Sequence, residues 1–251
     1  EHMLFQRSEH LGRNEFFKKI GELGGSFNGA TGPDGTVYYE TVPRDALEKV
    51  LWMESDRMGF FINTVTRKGL EREIDVVSNE KRQNENRPFG QSNGMMLKQF
   101  YPEGHPYRWP VIGSIADLHG ATVDDIKQFY RKYYAPNNAV LVLSGDIDPQ
   151  TAKKLAGKYY GDIPRVNLGE PAAFPEIRAE NAVKLEMSLP RINSVRLVNT
   201  WIAPAFNREK EEIYNLAVLS KYLGEGETSK LYKKLVKEKK LALAVESSYD
   251  Y

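Results

Sequence analysis

The chain has 251 residues, of which 41% are hydrophobic and 27% charged, enough apolar mass for one large globular domain or two modest ones. Thirty-five Lys and Arg stand against 34 Asp and Glu for a net charge of +1, without a concentrated basic stripe, so nothing supports a nucleic-acid partner. Cysteine is absent, which excludes a disulfide framework, a Cys-based zinc site and a thiol nucleophile, and no apolar run is long enough to span a bilayer.

The chain opens Glu1-His2-Met3-Leu4-Phe5, with neither an initiator Met nor a signal peptide, so the natural N-terminus is expected upstream and targeting stays open. Two helical stretches are expected around residues 1–10 and 13–20, broken at Gly12, with Gly21, Gly24 and Gly25 ending the pattern. Residues 26–31 and 36–42 read as strands, and Gly32-Pro33-Asp34-Gly35 between them carries turn chemistry, which predicts a β-hairpin. Pro43 opens a helix whose stripe is Leu47, Val50, Leu51, Met58 and Phe61, and residues 66–86 form a charged helix with Leu70, Ile74, Val76 and Val77. Residues 87–120, rich in Pro and Gly, read as loop with short helical pieces. Thr122-Val123-Asp124-Asp125 then caps a helix running to about Tyr134. Residues 139–145 read as a buried strand and 149–161 as a helix. The proline-rich stretch 166–180 reads as a linker between a domain at 1–165 and an incomplete second domain at 181–251. In that second domain, strands are expected at 182–189, 194–203 and 241–249, and helices at 208–223 and 228–239.

Glu1-His2 alone carries no assignment, because an adjacent Glu and His is common. In the helix at 66–86, Glu73 and Glu80 are seven residues apart and so share one face. A solvated Glu-rich face shows the same spacing, so spacing alone leaves both readings open. His10 reads as exposed, and His105 and His119, beside Pro and Gly, as structural hydrogen-bonding groups in loops.

Taken together, Glu1-His2-Met3-Leu4-Phe5-Gln6, the glycine-rich hairpin and Glu73-Ile74-Asp75-Val76-Val77-Ser78-Asn79-Glu80-Lys81-Arg82 resemble the pitrilysin/insulinase (inverzincin) family of zinc metallopeptidases. Gly104-His105-Pro106-Tyr107 and Tyr134-Ala135-Pro136-Asn137-Asn138 extend the resemblance over nearly the whole chain. It implies an α+β fold, a mainly antiparallel sheet with helices packed on one face, followed by part of a similar second domain. It implies a zinc cofactor held by His2 and Glu80, with Glu1 as general base and Glu73 as a supporting catalytic carboxylate. The family's H-x-x-E-H motif puts its first His three residues ahead of Glu1, outside this chain.

The resemblance also makes the strand Phe27-Asn28-Gly29-Ala30 the sheet edge that pairs with a peptide substrate, small residues at Gly29 and Ala30 allowing close approach. An ordinary hairpin strand with Gly at a bulge is the alternative. The expected activity is metal-activated hydrolysis of unfolded peptides or small polypeptides, with a C-terminal half or a partner subunit completing the chamber. The family's Arg and Tyr substrate clamp has no match at Lys240-Leu241-Ala242-Leu243-Ala244. A non-catalytic scaffold homologue and a metal-free peptide-binding module are the competing readings. The compartment expected from the resemblance is periplasmic.

Overall fold

The computed structural model describes residues 1–170, 172–175, 177, 183–188, 192–205 and 207–249. The chain divides into two compact units, Glu1–Asn193 and Ser194–Tyr251. The fold is α+β: helices dominate, and the sheet of the described residues is a two-stranded antiparallel hairpin.

In the first unit a short helix, α1 (His2–Gln6), is followed by α2 (Glu15–Glu22), and strands β1 (Ser26–Thr31) and β2 (Thr36–Thr41) come next. The hairpin pairs Ser26 with Thr41 through to Thr31 with Thr36, and the Gly32 N–H donates to the Gly35 carbonyl at 2.8 Å to close the turn. Alternation sends Phe27, Gly29 and Thr31 to one face of β1 and Asn28 and Ala30 to the other. The first face is covered by α1 and α2: Phe5 lies with its ring centroid 5.6 Å from Phe27 and 5.4 Å from Tyr38, and Phe17 lies 4.9 Å from Phe27. The opposite face is open, with Val37 and Tyr39 exposed.

Helix α3 (Leu47–Phe60) starts after Pro43 and a 3-10 turn, and α4 (Arg67–Asn86) is capped by Thr66, whose hydroxyl accepts from the Gly69 N–H at 3.2 Å. Short helices α5 (Ser92–Phe100) and α6 (Ile115–Gly120) fill the Pro- and Gly-rich region. Helix α7 (Val123–Tyr133) carries the expected capping box between Thr122 and Asp125, and α8 (Pro149–Tyr160) is capped by Asp148. Two apolar clusters meet across α1: Phe5 joins Leu11, Phe16, Ile20, Val50 and Met53, while Leu4 joins Phe61, Val65 and Tyr130. The second unit holds α9 (Glu211–Gly224) and a π-helical stretch, Tyr232–Glu238. Gly224 is required there because a Cβ would come 2.7 Å from the Ser247 backbone nitrogen.

Several expectations are corrected. The segment 139–145 forms no ladder and is not buried, with Val140 89% and Val142 78% exposed. Apolar content predicts a wish for burial, but a strand also needs a neighbouring strand, and none of the described residues supplies one. Described residues 183–188, 194–203 and 241–249 are likewise without strand pairing; positions 182 and 189 lie outside the described residues, as do 171, 176 and 178–180 of the expected linker. The helix expected over 1–10 stops at Gln6, because Arg7 turns extended and residues 8–10 fold onto α3. Val76 is exposed, the buried face of α4 being Leu70, Glu73, Ile74 and Ser78, and His119 lies on α6 rather than in a loop.

The buried stretch Ser55-Asp56-Arg57 of α3 ties the layers together. Asp56, 2% exposed, accepts from the Ser8 hydroxyl and from the His10 N–H at 3.2 Å, and it bonds His10 Nδ1. That last bond raises the His10 pKa. The Arg57 guanidinium, 4% exposed, lies over the rings of Tyr38 (4.1 Å), Phe16 (4.8 Å) and Phe5 (4.9 Å). It pairs with Glu54 on its own helix and reaches Glu40 of β2 at 3.6 Å. Tyr130 of α7 donates its hydroxyl to the Arg57 carbonyl at 2.8 Å. One buried cation facing two carboxylates cannot neutralise both, and burial together with the Glu54 charge pushes Glu40 up to about 8.

Removing Arg57 leaves Glu54 and Glu40 buried without a cation. Arg57→Ala is therefore expected to cost about 3–5 kcal/mol, read from urea unfolding midpoints. Glu40 binds its proton more tightly folded than unfolded, so folding stability falls as pH rises from about 5 to about 8. The raised His10 pKa acts in the same direction, its contribution being lost as pH rises through the folded value. Melting temperatures measured across this window should decline, and Glu40→Gln should flatten most of the decline.

Candidate functional site

Helices α1 and α4 lie side by side, and their contact brings His2 and Glu80, far apart in sequence, to 3.7 Å between Nε2 and Oε2. Two donors bound to one tetrahedral zinc stand about 3.4 Å apart, so this pair matches two corners of such a site within a few tenths of an ångström. Both side chains are partly open to solvent, His2 at 39% and Glu80 at 48% exposed. Among the described residues no group of three His, Asp or Glu converges on one point, so the donor set of these residues is two. An imidazole nitrogen and a carboxylate oxygen suit zinc.

Glu1 sits at the N-terminal end of α1 and is held against the hairpin. Its Oε2 accepts from the Thr31 hydroxyl, and a Cβ built on Gly29 would come 3.0 Å from its Oε1. The same Cβ would come 3.0 Å from the Phe5 ring. Gly29 is thus the opening in the β1 face into which α1 fits both its first aromatic ring and its carboxylate. Thr31, two positions on and on the same face, orients that carboxylate. It was findable from the strand's period of two, although nothing in the motif pointed to it.

Glu73 lies on the Glu80 face of α4, about 10 Å back along the axis, and is buried with a side chain 5% exposed. Its Oε1 accepts from Arg72 Nε at 3.2 Å, and Arg72 also donates to Gln6 Oε1 of α1 at 3.3 Å. Arg72 therefore links the two helices that carry the candidate site, a role the motif did not reveal. The four hairpin residues separate by face. Phe27 packs its ring among Phe5, Phe16 and Phe17. The Gly29 N–H donates to Asn28 Oδ1 at 2.9 Å, so it points away from β2 toward the free edge of β1, with its donor already shielded. Asn28 and Ala30 are exposed on the opposite face.

His105 is 8% exposed, with Nδ1 accepting from the Tyr107 N–H at 3.1 Å among the rings of Tyr101, Tyr107 and Phe174, a structural role as expected. No helix among the described residues is long and apolar enough to cross a membrane.

Comparison with known proteins bears on the family and the fold. Residues 1–105 match the family described as Insulinase (Peptidase family M16), and residues 120–251 match the Peptidase M16 inactive domain. The zinc protease PqqE of Helicobacter pylori is 32% identical over 252 residues, covering 96% of this chain and 54% of that protein. A crystal structure of a protease from Helicobacter pylori superposes with a TM-score of 0.75 at 28% identity, covering 99% of this chain and 61% of the other. A Pseudomonas fluorescens structure of a peptidase M16 inactive domain gives 0.77 at 17% identity, covering 99% and 59%, and shares the fold. The chain thus spans a little over half the length of these relatives.

The close seating of α1 on Gly29 makes a direct prediction. Gly29→Val should push Phe5 and Glu1 off the hairpin and destabilise the chain by about 1–3 kcal/mol, measured by urea unfolding. Ala30→Val, on the open face, should change stability by less than about 0.5 kcal/mol.

Proposed function

The chain belongs to peptidase family M16, the insulinase family, and we propose that it carries the metal-bearing part of a zinc endopeptidase that cleaves extended peptides. The observation supporting this most directly is the 3.7 Å approach of His2 Nε2 to Glu80 Oε2 across two helices. In this reading His2 and Glu80 hold the zinc as two of its protein donors. When bound, zinc lowers the pKa of a water molecule and polarises the peptide carbonyl.

The remaining chemistry falls to the chain's own groups. Glu1, its Oε2 fixed by the Thr31 hydroxyl, accepts a proton from the attacking water and returns it to the leaving amine. Holding the carboxylate in one orientation before substrate arrives is what the Thr31 bond contributes. The free edge of β1 takes the substrate as an added strand. On docking, the Gly29 N–H exchanges the Asn28 side chain for a substrate carbonyl, so its donor is covered in both states. Glu73 is a positioning residue: through Arg72 and Gln6 it fixes the spacing of α1 and α4, and with it the approach of His2 to Glu80. The match of residues 120–251 to an inactive domain fits a division in which the first part carries the chemistry.

The test uses the full-length protein. His2→Ala and Glu80→Gln should each lose zinc, measured by metal analysis after dialysis. Glu1→Gln should keep zinc while hydrolysis of an unfolded peptide falls about 10²–10⁴-fold. Zinc content unchanged in both ligand variants would overturn the metal assignment. Tight zinc binding without hydrolysis in the wild-type protein would instead favour the scaffold reading.

A further inference from the structure

Behind the candidate site, where the C-terminal end of α1 meets the first turns of α4, a cleft of about 120 Å³ is lined by Met3, Arg7, Arg13, Phe61, Lys68, Gly69 and Arg72, among others. Four of these are cations, arriving from three places in the chain: the turn after α1 (Arg7), the approach to α2 (Arg13) and α4 (Lys68, Arg72). No carboxylate lines the cleft.

Like charges gathered without acids repel one another, so the cluster calls for an explanation. The acidic side chains adjacent in sequence are engaged elsewhere. Glu71 pairs with Arg67 at 2.9 Å, Glu15 accepts from the Gly12 N–H at 2.9 Å, and Glu9 accepts from Asn63 at 2.6 Å. Among the described residues Arg7, Arg13 and Lys68 form no ion pair, and Arg72 alone is neutralised, by Glu73. Arg7, Arg13 and Lys68 are exposed, and Met3 and the buried Phe61 give the cleft an apolar boundary. Its volume has room for one compact anionic group.

We infer that this cleft is an oxyanion-binding site, taking a phosphate or carboxylate group between Arg7, Arg13 and Lys68. Two guanidinium forks suit the paired oxygens of either group, and Lys68 adds a point charge. The anion arrives free in solution or as the acidic group of a peptide, and both present the same chemistry. The site does not depend on the peptidase reading, since binding is measured without hydrolysis.

The experiment is isothermal titration of the full-length protein at low ionic strength with inorganic phosphate and, separately, with an acetylated glutamate peptide. The expected result is saturable binding of at least one of them, weakened about tenfold or more in the Arg7→Gln/Arg13→Gln/Lys68→Gln variant. A control variant, Lys18→Gln/Lys153→Gln/Lys154→Gln, alters three lysines outside the cleft and should bind as the wild type does. Binding of phosphate but not the peptide assigns a free-ion site, and the reverse assigns a peptide subsite. Circular dichroism checks that both variants fold, and chemical-shift changes at Gly69 locate the anion in the wild-type chain. No saturable binding of either probe, equal weakening in the control, or shifts scattered away from Gly69 would overturn the assignment.

Discussion

The position of α1 on the hairpin depends on a buried guanidinium. Arg57 lies under Phe5, Phe16 and Tyr38 and faces Glu54 and Glu40, so one side chain of α3 touches the first helix, the second helix and β2 at once. A charge taken out of water is tolerated only where it is paired and wrapped, and this one is wrapped by the same rings that form the core. If the cation or its cage shifts, Phe5 shifts, and with it the helix that bears Glu1 and His2.

Two further contacts tighten the same helix from its other sides. Gly29 leaves space where Phe5 and Glu1 meet the strand, and Arg72 connects Gln6 on α1 with Glu73 on α4. The loop leaving α1 is pinned by Asp56 through Ser8 and His10. A five-residue helix has too few internal hydrogen bonds to stand alone, so its order is borrowed from these contacts. That dependence explains why polar residues of α3, ordinarily found outside, are among the most buried of the chain.

The local elements were legible where a short-range rule decides them. The hairpin follows from Gly32-Pro33-Asp34-Gly35 between two β-prone runs, α7 from its Thr122–Asp125 box, and α4 from its Leu70–Ile74 stripe. Extended segments were legible only as apolar runs. Residues 139–145 carry every local mark of a strand, yet pairing is a property of two segments, and one segment's sequence does not name its partner.

The candidate site divides in the same way. The sequence by itself determined which residue types are present and that Glu73 and Glu80 share a helix face, since helical periodicity is local. Resemblance proposed which of them act together. Only the tertiary structure decided that His2 and Glu80 approach within 3.7 Å, that Glu1 rests on Thr31, that Phe27 belongs to the core, and that Arg7, Arg13, Lys68 and Arg72 share a cleft. Each of these is a meeting of side chains from separate elements. Such meetings are set by how α1, α4 and the hairpin pack around Arg57, and packing is long-range information that no spacing rule along the chain contains.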